Sequence, residues 1–203
     1  MKTIKIVALL LFATTTLYAQ QFPIYSQHQV NPYILNPGAI ATQGVPEFNL
    51  SYRQEWSGIK NGPKTIQGDI QLPINNKLSV GLNLINDRTI LLSQFSGYLT
   101  FGYSLPISET HFLKFGLSGG LTSNQIKLSD LGNSDPNDPV LLNSSNNTDF
   151  DGQFGMFFSN KKLTMGFSLL KLVETKSFSA EDQVGDYTFD PFKDKSAFIS
   201  YRF

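Results

Sequence analysis

Apolar and polar residues alternate with a period of two in about eight separate runs, and this feature constrains the fold most. Phe48, Leu50 and Tyr52 alternate with Asn49, Ser51 and Arg53. Ile66, Ile70, Leu72 and Ile74 alternate with Gln67, Asp69 and Gln71. Leu78, Val80, Leu82 and Leu84 begin a third run, and Phe95, Leu99, Phe101, Tyr103 and Leu105 form a fourth. Leu113, Phe115, Leu117 and Leu121 lie opposite Lys114, Gly116, Ser118, Gly120 and Thr122. Three further runs hold Phe150, Phe154, Met156 and Phe158, then Leu163, Met165, Phe167 and Leu169, then Ala197, Ile199, Tyr201 and Phe203. Alternation of this kind is the signature of β-strands with two unlike faces. Each run is roughly nine to twelve residues, the length a tilted transmembrane strand needs, whereas soluble strands are commonly nearer five or six.

The connections carry a second regularity. Turns at Asn75-Asn76, at 107–110 and at Asn160-Lys161-Lys162 are expected to be short. Those at 57–62, 86–92, 126–148 and 173–194 are expected to be long and polar. Short turns at one end and long loops at the other fit an outer-membrane barrel whose short turns are periplasmic. In hydrocarbon every backbone amide must be paired, so strands can span only as a closed barrel. The apolar face then meets lipid, and the polar or small face meets the interior. Tyr52, Tyr98, Tyr103, Tyr201 and Trp56 are expected near strand ends, as aromatic girdles. A soluble sandwich or lipocalin-like barrel would use the same aromatics as core.

Composition agrees with a chain that faces something other than water. Charged residues make up 16% of the 203, against about 25% in a typical soluble domain. Lys plus Arg equals Asp plus Glu, at 16 each, so no basic excess points to a nucleic-acid partner. The chain has no cysteine, which excludes disulfides, thiolate metal sites and a lipoprotein anchor. The start reads as a signal peptide: Lys2 and Lys5, an apolar run from Ile6 to Ala13, and a small residue at Ala19 for cleavage. The expected organisation is a signal peptide over 1–19, an irregular segment over 20–46 and a β-barrel domain over 47–203.

Ordered motifs follow the signal. Tyr25-Ser26-Gln27 precedes Asn31-Pro32 and Leu35-Asn36-Pro37-Gly38-Ala39. Then come Tyr52-Arg53-Gln54-Glu55-Trp56-Ser57-Gly58 and Gly62-Pro63-Lys64-Thr65. Gly81-Leu82, Asn86-Asp87, an Asp- and Pro-rich stretch from Leu128-Ser129-Asp130 to Asp138-Pro139, and Asp149-Phe150-Asp151 complete the set. In this ordered set the chain resembles the PorP/SprF family of type IX secretion system membrane proteins of the Bacteroidetes. Asn36, Pro37, Tyr52, Arg53, Trp56, Gly58, Pro63, Lys64, Thr65, Asn86 and Asp87 are the motif positions expected to matter structurally.

The resemblance implies a non-enzymatic outer-membrane component of the secretion or gliding-motility machinery. Its expected partners are outer-membrane lipid, other type IX secretion subunits and a secreted adhesin-like protein. Family members are usually longer and typically carry Ala where Gly38 stands. Set against them the chain looks like their N-terminal two-thirds, so a truncated product, a divergent short member and a barrel closing with fewer strands all fit. Two other functions fit the residues: an outer-membrane pore for small solutes, and a soluble secreted β-barrel binding an apolar ligand. The final SAFISYRF, ending on an aromatic, resembles the signal read by barrel-assembly machinery.

No catalytic set has the spacing chemistry needs, and no cofactor is expected. His28 and His111 have no readable partners, so each reads as a solvated histidine. Asp69, Asp87 and Asp151 read as lumenal or rim carboxylates filling a polar interior. Asp130, Asp135, Asn137, Asp138 and Asp149 offer oxygen ligands, but their order does not fit an EF-hand loop, and a flexible acidic loop is the plainer reading. Arg53 and Lys64 are expected to face each other across the first hairpin, with Glu55 or Asp69 as charge partners. Residues 21–45 hold Pro23, Pro32 and Pro37, which break regular structure, yet carry Phe22, Ile24, Tyr33, Ile34, Leu35 and Ile40, which need cover. This segment is expected to pack inside or under the barrel and partly plug it.

Overall fold

Every alternating run becomes a strand, and each strand pairs with the next in sequence. The computed structural model describes residues 30–58, 62–89, 92–108, 110–126, 147–173 and 195–202. Its strands are β1 (Glu47–Gln54), β2 (Lys64–Pro73), β3 (Leu78–Arg88), β4 (Leu92–Ser108), β5 (His111–Ile126), β6 (Asn147–Ser159), β7 (Leu163–Leu169) and β8 (Lys195–Tyr201). All seven ladders are antiparallel, in the order β1-β2-β3-β4-β5-β6-β7-β8. The sheet curls into a half-barrel, and among the described residues β1 and β8 share no ladder. Two short 3₁₀ turns, Pro32–Ile34 and Pro37–Ala39, precede β1.

The faces are arranged inside out relative to a soluble domain. Phe48, Leu50, Tyr52, Leu82, Leu84, Leu99, Phe101, Leu117, Leu121, Phe150, Phe167 and Ile199 are exposed on the convex side. Gln67, Asp69, Gln71, Asn83, Ser96, Thr100, Ser118, Thr122, Asp151 and Ser168 are buried on the concave side. Soluble proteins rarely expose apolar area on this scale; a lipid-facing band requires it.

Short-turn chemistry is explicit. The Asn75 carboxamide oxygen accepts the N–H groups of Lys77 and Leu78, at 2.8 and 2.9 Å. Asn160 does the same for Lys162 and Leu163, at 2.8 and 2.6 Å. Such side-chain mimicry of a backbone turn is what places Asn at tight reversals.

Three sequence expectations change. The link expected over 86–92 shrinks to residues 89–91, because Asn86, Asp87 and Arg88 continue the β3 ladder opposite Phe95, Gln94 and Ser93. Polar residues on both faces there read as loop, but ladder pairing does not need an apolar face. For the same reason β4 and β5 reach 17 and 16 residues, beyond the lengths that alternation suggests. Tyr98 is no girdle residue: it sits mid-strand, turned inward and 6% exposed. Its ring lies over Gly120, where a Cβ would collide with Tyr98 and the Gly97 carbonyl. The predicted signal peptide, His28 and the acidic stretch over 128–138 fall outside the described residues.

A candidate site on the concave face

Ladder register stacks the inward residues into rows. One row runs Ser79, Gly102, Gly116, Gly155, Ser168 and Ser196, across β3 to β8. No residue in it is larger than serine, so the concave face carries a trough. Residues 31–41 lie in that trough. A Cβ on Gly116 would collide with the Pro37 carbonyl, and one on Gly155 with the Asn36 side chain. On the other side of the contact, a Cβ on Gly38 would come within 2.8 Å of the Gly155 carbonyl oxygen. Alanine at position 38 would therefore force this backbone-to-backbone contact apart. Ile40 takes the space that a side chain would need at Gly102, and with Tyr33 the space at Gly81.

Polar bonds hold the segment at both ends and in the middle. Asn36 is the anchor: its carboxamide donates to the carbonyls of Met156 on β6 (2.9 Å) and Phe167 on β7 (3.3 Å). The same side chain accepts from the Gly38 N–H at 2.8 Å, capping the second 3₁₀ turn. The Ser168 hydroxyl donates to the Leu35 carbonyl at 2.5 Å. On the opposite wall Asn31 donates to the Asp69 carboxylate at 2.7 Å, and Gln71 accepts from the Ala41 N–H at 2.8 Å. From β5, Lys114 Nζ donates to the Ala41 carbonyl at 2.9 Å and the Ile40 carbonyl at 3.4 Å.

Carboxamides and hydroxyls, more than charges, fill this interior. Asp69 also accepts from Asn49 (3.0 Å) and Gln71 (2.8 Å), so three amides surround one buried carboxylate. Buried polar groups must be bonded or they cost stability, and amides meet that need without the desolvation penalty of paired ions. Tyr33 donates to Thr100 at 2.7 Å, and Thr100 shares a 2.8 Å bond with Ser118. Burial, opposed by the Thr100 bond and assisted by the Asp69 charge, pushes the Tyr33 phenol up to about 12. A second cluster, Tyr98, Ser96, Thr122 and Asp151, lies nearer the long-connection end, where Asp151 accepts from the Gly152 N–H at 2.7 Å.

The motif positions fall into two places. Asn36 and Pro37 sit at the centre of the trough. The others gather at the long-connection rim of β1 to β3. There Arg53, Thr65 and Asp87 form one row, and Thr65 donates to Asp87 at 2.6 Å. Arg53 pairs with Glu55 at 2.7 Å. Lys64 does not face it: Lys64 lies opposite Gln54, one register step away and exposed on the other side of the sheet. Asp69 belongs to the trough, so it is no partner for that rim. Asn86 stands between Ile66 and Phe95 in the ladders. The Tyr52 hydroxyl meets Gln54 at 2.9 Å on the convex face. Trp56 (φ 51°) and Gly58 (φ 114°) shape the exposed rim turn, and Gly58 holds a backbone conformation open chiefly to glycine. The Pro63 carbonyl accepts from Glu55 N–H at 2.9 Å, carrying the hairpin past its strand ends.

Sequence reasoning did not single out Gln71, Thr100, Lys114, Ser168 or the glycine row as a unit. The available signal was glycine recurring at concave positions of neighbouring strands, visible only once register is known. His111 bonds Ser108 at 2.7 Å in the β4–β5 turn, apart from the trough. Among the described residues no cluster of three His, Cys, Asp or Glu could hold a metal ion.

The family model described as Type IX secretion system membrane protein PorP/SprF matches residues 17–197. No curated protein matches the chain, and no solved structure does.

Proposed function

The chain belongs to the PorP/SprF family of type IX secretion system membrane proteins, and from that premise we propose that it is an outer-membrane scaffold with an occluded lumen. It docks other subunits of the secretion machinery and supports export or surface attachment of a secreted adhesin-like protein. The one observation behind this reading is the filled trough. Residues 31–41 are buried against the concave face by Asn36, Tyr33, Ile40 and their partners, where a solute pore would need open space. The described part of the segment before the barrel domain, residues 31–41, accordingly acts as a plug, and the domain behind it starts at 47. The exposed rim at Trp56 and Gly58 offers a surface for docking outside the bilayer.

Two measurements test this. Purified protein in planar bilayers should show no steady conductance, and Asn36→Ala, which removes the bonds to β6 and β7, should produce intermittent openings. Steady wild-type conductance would establish the small-solute pore instead. In cells, deletion of the gene should strip one secreted protein from the surface while leaving permeability to small solutes unchanged. Recovery of the folded protein without detergent would support the soluble, apolar-ligand barrel.

A further inference from the structure

Lys64 is a motif position that the trough does not use. It stands exposed on the convex face, and the β2–β3 register sets it directly opposite Arg88, exposed on the same face. Cβ atoms so opposed lie ~5 Å apart, and like charges there repel. The ladders extend this row through Gln54 on one side and through Ser93 and Gln125 on the other. Among the described residues no carboxylate stands in it. The acids beside its members in sequence are engaged elsewhere: Asp87 bonds Thr65 on the concave row, and Glu55 pairs with Arg53.

The height of this row on the sheet says what meets it. Convex positions along β3 are Leu78, Val80, Leu82 and Leu84, then Asn86 and Arg88. From Leu78 to Arg88 a strand tilted by ~40° climbs roughly 25 Å, the height of an outer-membrane apolar band. The row next to Lys64 and Arg88 on the inner side of the band holds Tyr52, Ile66 and Phe95, all exposed. Aromatic residues of this kind border the hydrocarbon. Lys64 and Arg88 therefore lie just past the hydrocarbon, at headgroup depth, on the long-connection end that faces outward. Open water would screen their repulsion, but lipid packed along one side weakens that screening.

We infer that the Lys64–Arg88 pair is a binding site for the phosphate of an outer-leaflet lipid. A phosphate between the two turns one repulsion into two attractions. The Arg88 guanidinium can hold two of its oxygens side by side, and Lys64 supplies a compact point charge. Gln54 completes the set. Its carboxamide oxygen is taken by the Tyr52 hydroxyl at 2.9 Å, so its donor end is what it has left to offer. An acidic partner protein would have to displace the lipid that covers the convex face to reach this row, whereas a lipid headgroup is already there. The inference rests on outer-membrane placement and not on the secretion role.

Trp56, the single tryptophan of the chain, lies two residues past Gln54 and can report on nearby lipid by energy transfer. The full-length protein is reconstituted in phosphatidylcholine vesicles with a small share of phosphatidic acid that carries dansyl on an acyl chain. Dansyl-labelled phosphatidylcholine serves as the neutral counterpart. Two basic side chains at a lipid surface should enrich the phosphatidic acid beside them by on the order of tenfold, so transfer to it should exceed transfer to the neutral probe. Lys64→Gln/Arg88→Gln should bring the two probes level, and Lys161→Gln/Lys162→Gln at the opposite end should not. Excess inorganic phosphate should leave the transfer unchanged; a drop would make this a site for free phosphate and overturn the lipid assignment. Arg88→Glu gives Lys64 an opposite charge and tests the same pair through stability. It should unfold at higher urea than the wild type in neutral vesicles and lose that advantage in vesicles rich in phosphatidic acid. Equal transfer to both probes in the wild type, preference kept by the folded double-Gln variant, or one stability order in both lipids would each overturn the inference. Protein recovered outside the vesicles would overturn membrane placement, and the site with it.

Discussion

Gly116 and Gly119 lie three residues apart on β5 and point to opposite sides of the same sheet. A Cβ at Gly116 would strike the Pro37 carbonyl, whereas one at Gly119 would meet only the Phe150 ring at 3.6 Å. The concave face is a fitted surface, set by the chain lying on it. The convex face asks for apolar character and little else. Leu117 and Ser118, adjacent in sequence, repeat the contrast: one is 59% exposed and the other 3%.

Breaking the convex rule should have the largest effect. Leu117→Arg places a charge near the middle of the longest hairpin and should cost about 2–4 kcal/mol, read from urea-induced unfolding in lipid vesicles. A loss below ~0.5 kcal/mol, the range of an ordinary surface change, would mean that lipid does not cover this face.

Breaking the concave rule comes next. Gly116→Leu should cost about 1–3 kcal/mol by overpacking and make residues 31–41 sensitive to protease. Gly119→Leu should leave both properties near wild type. Equal effects at the two glycines would erase the contrast between the faces.

Tyr33 gives the smallest and most selective test. Its phenol titrates near 12 in place, against 10.0 ordinarily. A raised folded-state value means that its stabilising contribution is full below pH 10 and is lost as pH rises from 10 to 12. Urea midpoints followed over that window should fall more steeply for the wild type than for Tyr33→Phe. At neutral pH the variant should lose only about 0.5–1.5 kcal/mol, the worth of the bond to Thr100. Parallel pH profiles would mean that the phenol is not buried in the trough.

Much of this architecture was legible in the residues. Period two gave the strands from Phe48 to Tyr201 and their two faces, because side chains on a pleated strand alternate. Asn75 and Asn160 marked tight turns through their own carboxamides. Where polarity persisted on both faces, as at Asn86 and Asp87, strand was mistaken for loop, since hydrogen-bonded pairing leaves no mark in hydropathy. Tyr98 was misplaced because an aromatic in an alternating run gives no sign of facing a glycine across the ladder.

The sequence alone determined that this chain makes strands with one apolar and one polar face, because a local periodicity written along each strand is enough to sort its two sides. Only the tertiary structure decided what occupies the inner side. Asn36 meets Met156 across 120 residues and Ser168 meets Leu35 across 133, and the glycines that admit this approach line up only when strand register brings them level. Close packing between distant segments is a property of register, and register is not written in any one strand.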